Sequence, residues 1–131
     1  MKSNMIFENA LSDYDCNYIN SEAEKILNIN DAIVGETTDV SDGLVKDSIR
    51  KSKTGFIESW NSEHLQLWNY VSSRLWNYIN SANRTNFAFD VSYLDSVQYT
   101  KYESGGDYYD WHIDTLTKPI IKNGAGFNRK I

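Results

Sequence analysis

The sequence predicts an α+β fold in which two helices precede most of a set of short strands. Three observations carry that reading. Apolar residues recur at helical spacing in two stretches, near 13–28 and 62–80. The other apolar and β-branched residues come in short runs bounded by Gly, Asn, Asp and Ser. No internal repeat or low-complexity segment offers a different architecture.

Size and charge narrow the field. A chain of 131 residues is one domain at most, so residues 1–131 are taken as a single unit. Hydrophobic residues make up 40% and aromatics 14%, enough to build a modest core and too much for a disordered segment. The net charge of -5 has the wrong sign for tracking phosphates, so no nucleic-acid partner is expected. The one cysteine, Cys16, precludes an internal disulfide and suits a reducing compartment. It is expected to be a small buried or half-buried helix residue. Met1–Phe7 has no apolar signal core, and no later run approaches membrane-spanning length. A cytoplasmic protein without a membrane partner is the expectation.

Met5–Ala10 is expected to be a first strand. Ser12 or Asp13 then caps a helix running to about Asn28, with Asp13 and Asp15 where the helix dipole favours acids. Its apolar stripe is Tyr14 or Tyr18, Ile19, Ala23, Ile26 and Leu27. Ala32-Ile33-Val34 is a candidate strand, and 37–43 reads as loop. Asp47–Ile57 leads into another strand. Arg50 within it lies either at the mouth of a site or on a solvated basic edge, the latter being favoured. Asn61 or Ser62 caps a second helix whose core face is Leu65, Trp68, Val71, Ser72, Leu75, Trp76 and Ile79. His64 is expected in solvent. The helix breaks at Ser81–Arg84. Strands follow at Phe87–Val91, Leu94–Tyr102 and Tyr108–Asp114, with a Gly105-Gly106 turn before the last. Thr115–Phe127 reads as loop, and Asn128–Ile131 as the opening of another strand.

The chemistry concentrates in Tyr99–Asp114. Side chains alternate along a strand, so His112 and Asp114 are expected on one face. An imidazole and a carboxylate so placed supply two members of a 2-His-1-carboxylate set, which holds Fe(II) with open positions. Thiolate is lacking, which argues against a zinc-thiolate site. Around the pair, Gln98, Tyr102, Gly105 or Gly106, Tyr109, His112 and Asp114 fall in order.

That order resembles the signature of the prolyl-4-hydroxylase-like 2-oxoglutarate/Fe(II) dioxygenases, the PKHD-type hydroxylases among them, with about one extra residue at the turn. Ile49-Arg50-Lys51-Ser52 before an apolar strand is a second, weaker likeness. The resemblance implies a double-stranded β-helix, or jelly roll, with the two helices supporting it. It implies Fe(II) on His112 and Asp114, 2-oxoglutarate as co-substrate contacted by Tyr102, and a protein or amino-acid substrate lined by Tyr109. Gln98 is implied to line the pocket or hold the strand. Asp110 alternates onto the His112 face and is either a hydrogen-bond acceptor behind a ligand or an ordinary exposed residue, the latter being favoured. Ascorbate dependence and hydroxylation of a prolyl or other amino-acid side chain belong to the same implication, with succinate and CO2 as co-products.

The family also has a later histidine ligand and an Arg or Lys that pairs with 2-oxoglutarate. After Asp114 this sequence has no histidine. The chain is therefore expected to be the N-terminal part of a partial jelly roll. Two alternatives stand beside the oxygenase: a non-catalytic interaction domain on the same scaffold, and a cupin-like metalloprotein with other chemistry.

Overall fold

The computed structural model describes residues 4–32, 50–112, 120–122 and 125–127. The α+β class is as expected: two long helices and small sheets, antiparallel in both two-stranded pairs. Ten elements follow in order: α1 (Asp13–Ile26), β1 (Asn30–Asp31), β2 (Arg50–Lys51), β3 (Lys53–Ile57), α2 (Leu65–Ala82), a π-helical turn (Asn83–Phe87), β4 (Val97–Lys101), β5 (Tyr108–Tyr109), β6 (Ile120–Lys122) and β7 (Ala125–Phe127). One sheet has the strand order β1-β3-β4, and the others pair β2 with β5 and β6 with β7. The chain forms two compact units, Met1–Ile29 with Thr54–Tyr99 and Asn30–Lys53 with Thr100–Ile131. No helix among the described residues is long and apolar enough to cross a membrane.

The first unit holds both helices. Ser12 starts α1 with a reciprocal capping box: its hydroxyl accepts from the Asp15 N–H at 3.1 Å, and its own N–H donates to the Asp15 carboxylate at 3.0 Å. Ala23 and Leu27 from α1, Ile57 from β3, and Leu67 and Val71 from α2 form the core. Tyr18, Ile19, Trp68, Leu75, Val97 and Tyr99 pack against it, half-buried. Gly55 permits the close approach of the α1 exit, since a Cβ there would lie 3.1 Å from the Leu27 Cβ. Asp15 pins the helices together, accepting from the Tyr70 hydroxyl at 2.5 Å and from Arg74 Nε at 3.1 Å.

Several expectations need correction. Met5–Ala10 is not a strand; it turns at Glu8-Asn9, with Asn9 at φ 52°. Cys16 is exposed, on the outer side of α1. The core face of α2 is set by Leu67 and Val71, while Leu65 is exposed. His64 is the N-cap of α2 and is buried at 7% exposure. Its Nδ1 accepts the Glu58 N–H at 3.2 Å, and Nε2 lies 3.2 Å from the Asn61 amide nitrogen. Asn61 caps the preceding turn instead, accepting from the Glu63 N–H at 3.0 Å. The α-helix ends at Ala82, within the expected break, but the chain stays helical through the π-helical turn and stops at Ala88, whose φ of 56° is left-handed. Phe87–Val91 is consequently no strand, because Phe87 is spent in that turn.

The second unit is built of short strands. In β2–β5, Arg50 is opposite Tyr109 and Lys51 opposite Tyr108. Gly105 and Gly106 carry the turn at φ 144° and 107°, a region that side chains disfavour. The segment expected as loop at Thr115–Phe127 contains an antiparallel pair, with Ile120 opposite Phe127 and Lys122 opposite Ala125. Residues 33–34, 47–49 and 128–131, also expected to enter strands, lie outside the described residues.

Candidate functional site

The expected site residues fall in the second unit. Within 102–112 the strand covers Tyr108–Tyr109 alone; Asp110 and His112 lie beyond it, and Trp111 sits at a bend. His112 thus departs from the regular strand on which the alternation argument was built. Asp114, its expected partner, lies outside the described residues. Among the described residues no three His, Cys, Asp or Glu side chains gather as a metal cage.

His112 is nonetheless held in a defined way. Its Nδ1 lies 2.8 Å from the Asp110 carbonyl oxygen. A carbonyl only accepts, so in this contact the imidazole is the donor. Backbone fixing of one ring nitrogen is the usual way a ligating imidazole is oriented. The acceptor behind His112 is therefore the Asp110 main chain. The Asp110 carboxylate accepts from the Trp111 N–H at 2.8 Å, and the residue is exposed, as the favoured expectation had it.

Tyr109 stacks on the His112 ring, with centroids 3.7 Å apart and planes 12° from parallel. Across the β2–β5 ladder, the Arg50 guanidinium carbon sits 4.3 Å from the Tyr109 centroid. Arg50 donates from Nε to Ser52 Oγ at 2.8 Å and from Nη2 to Thr100 Oγ1 at 3.4 Å. Both Arg50 and Ser52 are buried, each at 6% exposure. The favoured expectation of a solvated basic edge is thereby overturned for Arg50. Strand pairing with Tyr109 covers it, which no local sequence rule could announce.

Tyr102 follows β4 and is half-exposed, and Gln98 is exposed on that strand. Trp111, beside the histidine, is fully exposed. An open depression lined by Asn77, Asn80, Ser81, Arg84 and Thr85 lies in the first unit and includes none of the expected site residues.

No protein-family model, no curated protein and no solved structure matches this chain. What it does must be argued from the Arg50–Tyr109–His112 array and the motif around it. The sequence pointed to His112 and Tyr109. It missed Ser52 and Thr100, whose only signal was that short hydroxyl residues suit the neighbourhood of a guanidinium.

Proposed function

We propose that this chain belongs to a 2-oxoglutarate/Fe(II)-dependent dioxygenase that hydroxylates a prolyl or other amino-acid side chain, on a partial jelly roll supported by α1 and α2. The observation that carries the reading is the 2.8 Å approach of His112 Nδ1 to the Asp110 carbonyl, the kind of backbone contact that orients a ligating imidazole. Imidazole and carboxylate suit ferrous iron, so His112 and Asp114 would hold it, together with a third ligand that the resembled family takes from a later histidine. The metal, when bound, supplies the activation of O2. The balanced reaction is 2-oxoglutarate, O2 and a C–H bond going to succinate, CO2 and a C–OH. Tyr109 keeps the imidazole from rotating, because turning the ring would break the 3.7 Å stack. Tyr102 would donate its phenolic hydrogen to the co-substrate. Ascorbate would serve to return oxidised iron to the ferrous state.

The test is iron-dependent succinate formation from 2-oxoglutarate by the full-length protein. His112→Ala and Asp114→Ala should each abolish it. Turnover surviving either change rejects the ligand assignment. A second reading, a non-catalytic interaction domain, draws on the exposed aromatics Tyr102, Tyr108 and Trp111. It expects no succinate at all.

A further inference from the structure

Three basic residues in the second unit are partnered in the opposite sense to their burial. Lys51 and Lys53 are exposed, yet each faces a carboxylate, Asp107 at 3.8 Å and Glu103 at 3.1 Å. Arg50 is buried, yet its partners Ser52, Thr100 and Tyr109 are all neutral. Among the described residues it forms no ion pair. Buried charges are ordinarily paired, because hydroxyls and a ring do not repay the lost hydration of a guanidinium.

The donors of Arg50 are also unevenly used. Nε is committed to Ser52, and the 3.4 Å contact from Nη2 to Thr100 is long and weak. Nη1 bonds to none of the described residues. No sealed side-chain nitrogen or oxygen among them lacks a partner, so Nη1 remains reachable from solvent. Cross-strand partners share a face, which puts this fork beside Tyr109 and hence the His112 stack.

We propose that Arg50 receives a carboxylate of a small-molecule ligand bound at this face. A guanidinium fork matches a carboxylate in shape and charge, and the ligand would supply the counter-charge that the described residues do not. The site itself needs no metal; only the choice of ligands to try rests on the oxygenase reading. Two sources share this chemistry, the 2-oxo acid co-substrate and a free amino-acid substrate.

The metal-free 131-residue protein is titrated calorimetrically with 2-oxoglutarate, with L-proline, and with dimethyl 2-oxoglutarate as an uncharged control. Wild type, Arg50→Lys and Arg50→Met are compared, and each is also melted without ligand. At least one free acid should bind wild type and the diester should not. Arg50→Met should weaken that binding about tenfold or more, the size of a lost hydrogen bond to a charged group, with Arg50→Lys between. Unliganded Arg50→Met should melt no lower than wild type, since it removes an uncompensated buried charge. Binding of 2-oxoglutarate assigns the co-substrate, and binding of proline the substrate. Failure of both acids to bind wild type, undiminished affinity in Arg50→Met, or a lower melting point for that variant would each overturn the proposal. Carboxylate binding without iron-dependent succinate keeps this inference and removes the oxygenase reading. Succinate formation by Arg50→Met at an unchanged KM does the reverse.

Discussion

The first unit buries Ala23, Leu27, Ile57, Leu67 and Val71 against one another; the second buries Arg50 and Ser52. In the second unit the one buried apolar side chain among the described residues is Ala32. Apolar burial stabilises by roughly 25 cal/mol per Å² and asks nothing of a ligand. Burial of a cation beside neutral groups does the opposite, and natural proteins keep such arrangements chiefly where binding requires them. The contrast separates a part whose burial is apolar from a part whose buried cation the proposed carboxylate would complete. Helix α1 accordingly carries a capping box and a carboxylate pin to α2, while β2 and β5 are two residues long.

The comparison breaks most readily at Leu67. At 1% exposure in the core, Leu67→Ala should cost about 2–5 kcal/mol, a large share of the roughly 5–15 kcal/mol typical of a domain. Urea unfolding measures the loss, and amide exchange locates it. Faster exchange should concentrate at Ile57 and Val71. Equal acceleration at Arg50 and Tyr109 would mean that the two units open as one, and the contrast would fail.

A smaller effect sharpens the same contrast at the surface. Ser12→Ala removes the acceptor for the Asp15 N–H and should destabilise by about 1 kcal/mol. Urea midpoints should recover most of that loss in Ser12→Asn, because Asn caps nearly as well. No recovery would show that the Ser12 hydroxyl acts through something other than the cap.

Legibility in the sequence divides along similar lines. Helix α1 was readable because its determinants are local: Ser12, Asp15 three residues on, and an apolar stripe from Ile19 to Leu27. The face of α2 was read with Leu65 in place of Leu67, since two candidate stripes overlap and only packing against Ile57 and Ala23 selects one. Pairing with β7 hid β6, because Pro119 and three nearby glycine or asparagine positions drew the segment toward loop. Burial of His64 and Arg50 was unreadable in principle. Each depends on partners brought by the fold, the Glu58 N–H for one and Tyr109 across a ladder for the other. At the candidate site, the His112–Asp114 pair was read from spacing and Tyr109 from the family resemblance, but the main-chain acceptor at Asp110 could not be read, because a carbonyl has no letter of its own.

The smallest effect is a pH dependence confined to the first unit. Hydrogen bonds from Ser12 and then Tyr70 hold the Asp15 carboxyl well below the usual carboxylate range, with the Arg74 charge adding to them. A depressed folded pKa means that the unfolded chain takes up this proton first. The contribution is therefore complete above the unfolded value of about 3.9 and is lost as pH falls below it. Tyr70 has the opposite sign: its bond to Asp15, and then burial, raise its phenol, so its share holds below the unfolded value of about 10 and is lost above it. The pin between α1 and α2 is thus strongest across the middle of the pH range. Urea midpoints for wild type and Asp15→Asn should diverge near neutrality and converge in acid. Parallel curves down to about pH 2 would mean that Asp15 is protonated no later in the folded chain than in the unfolded one, and the carboxylate would then not be what ties the two helices.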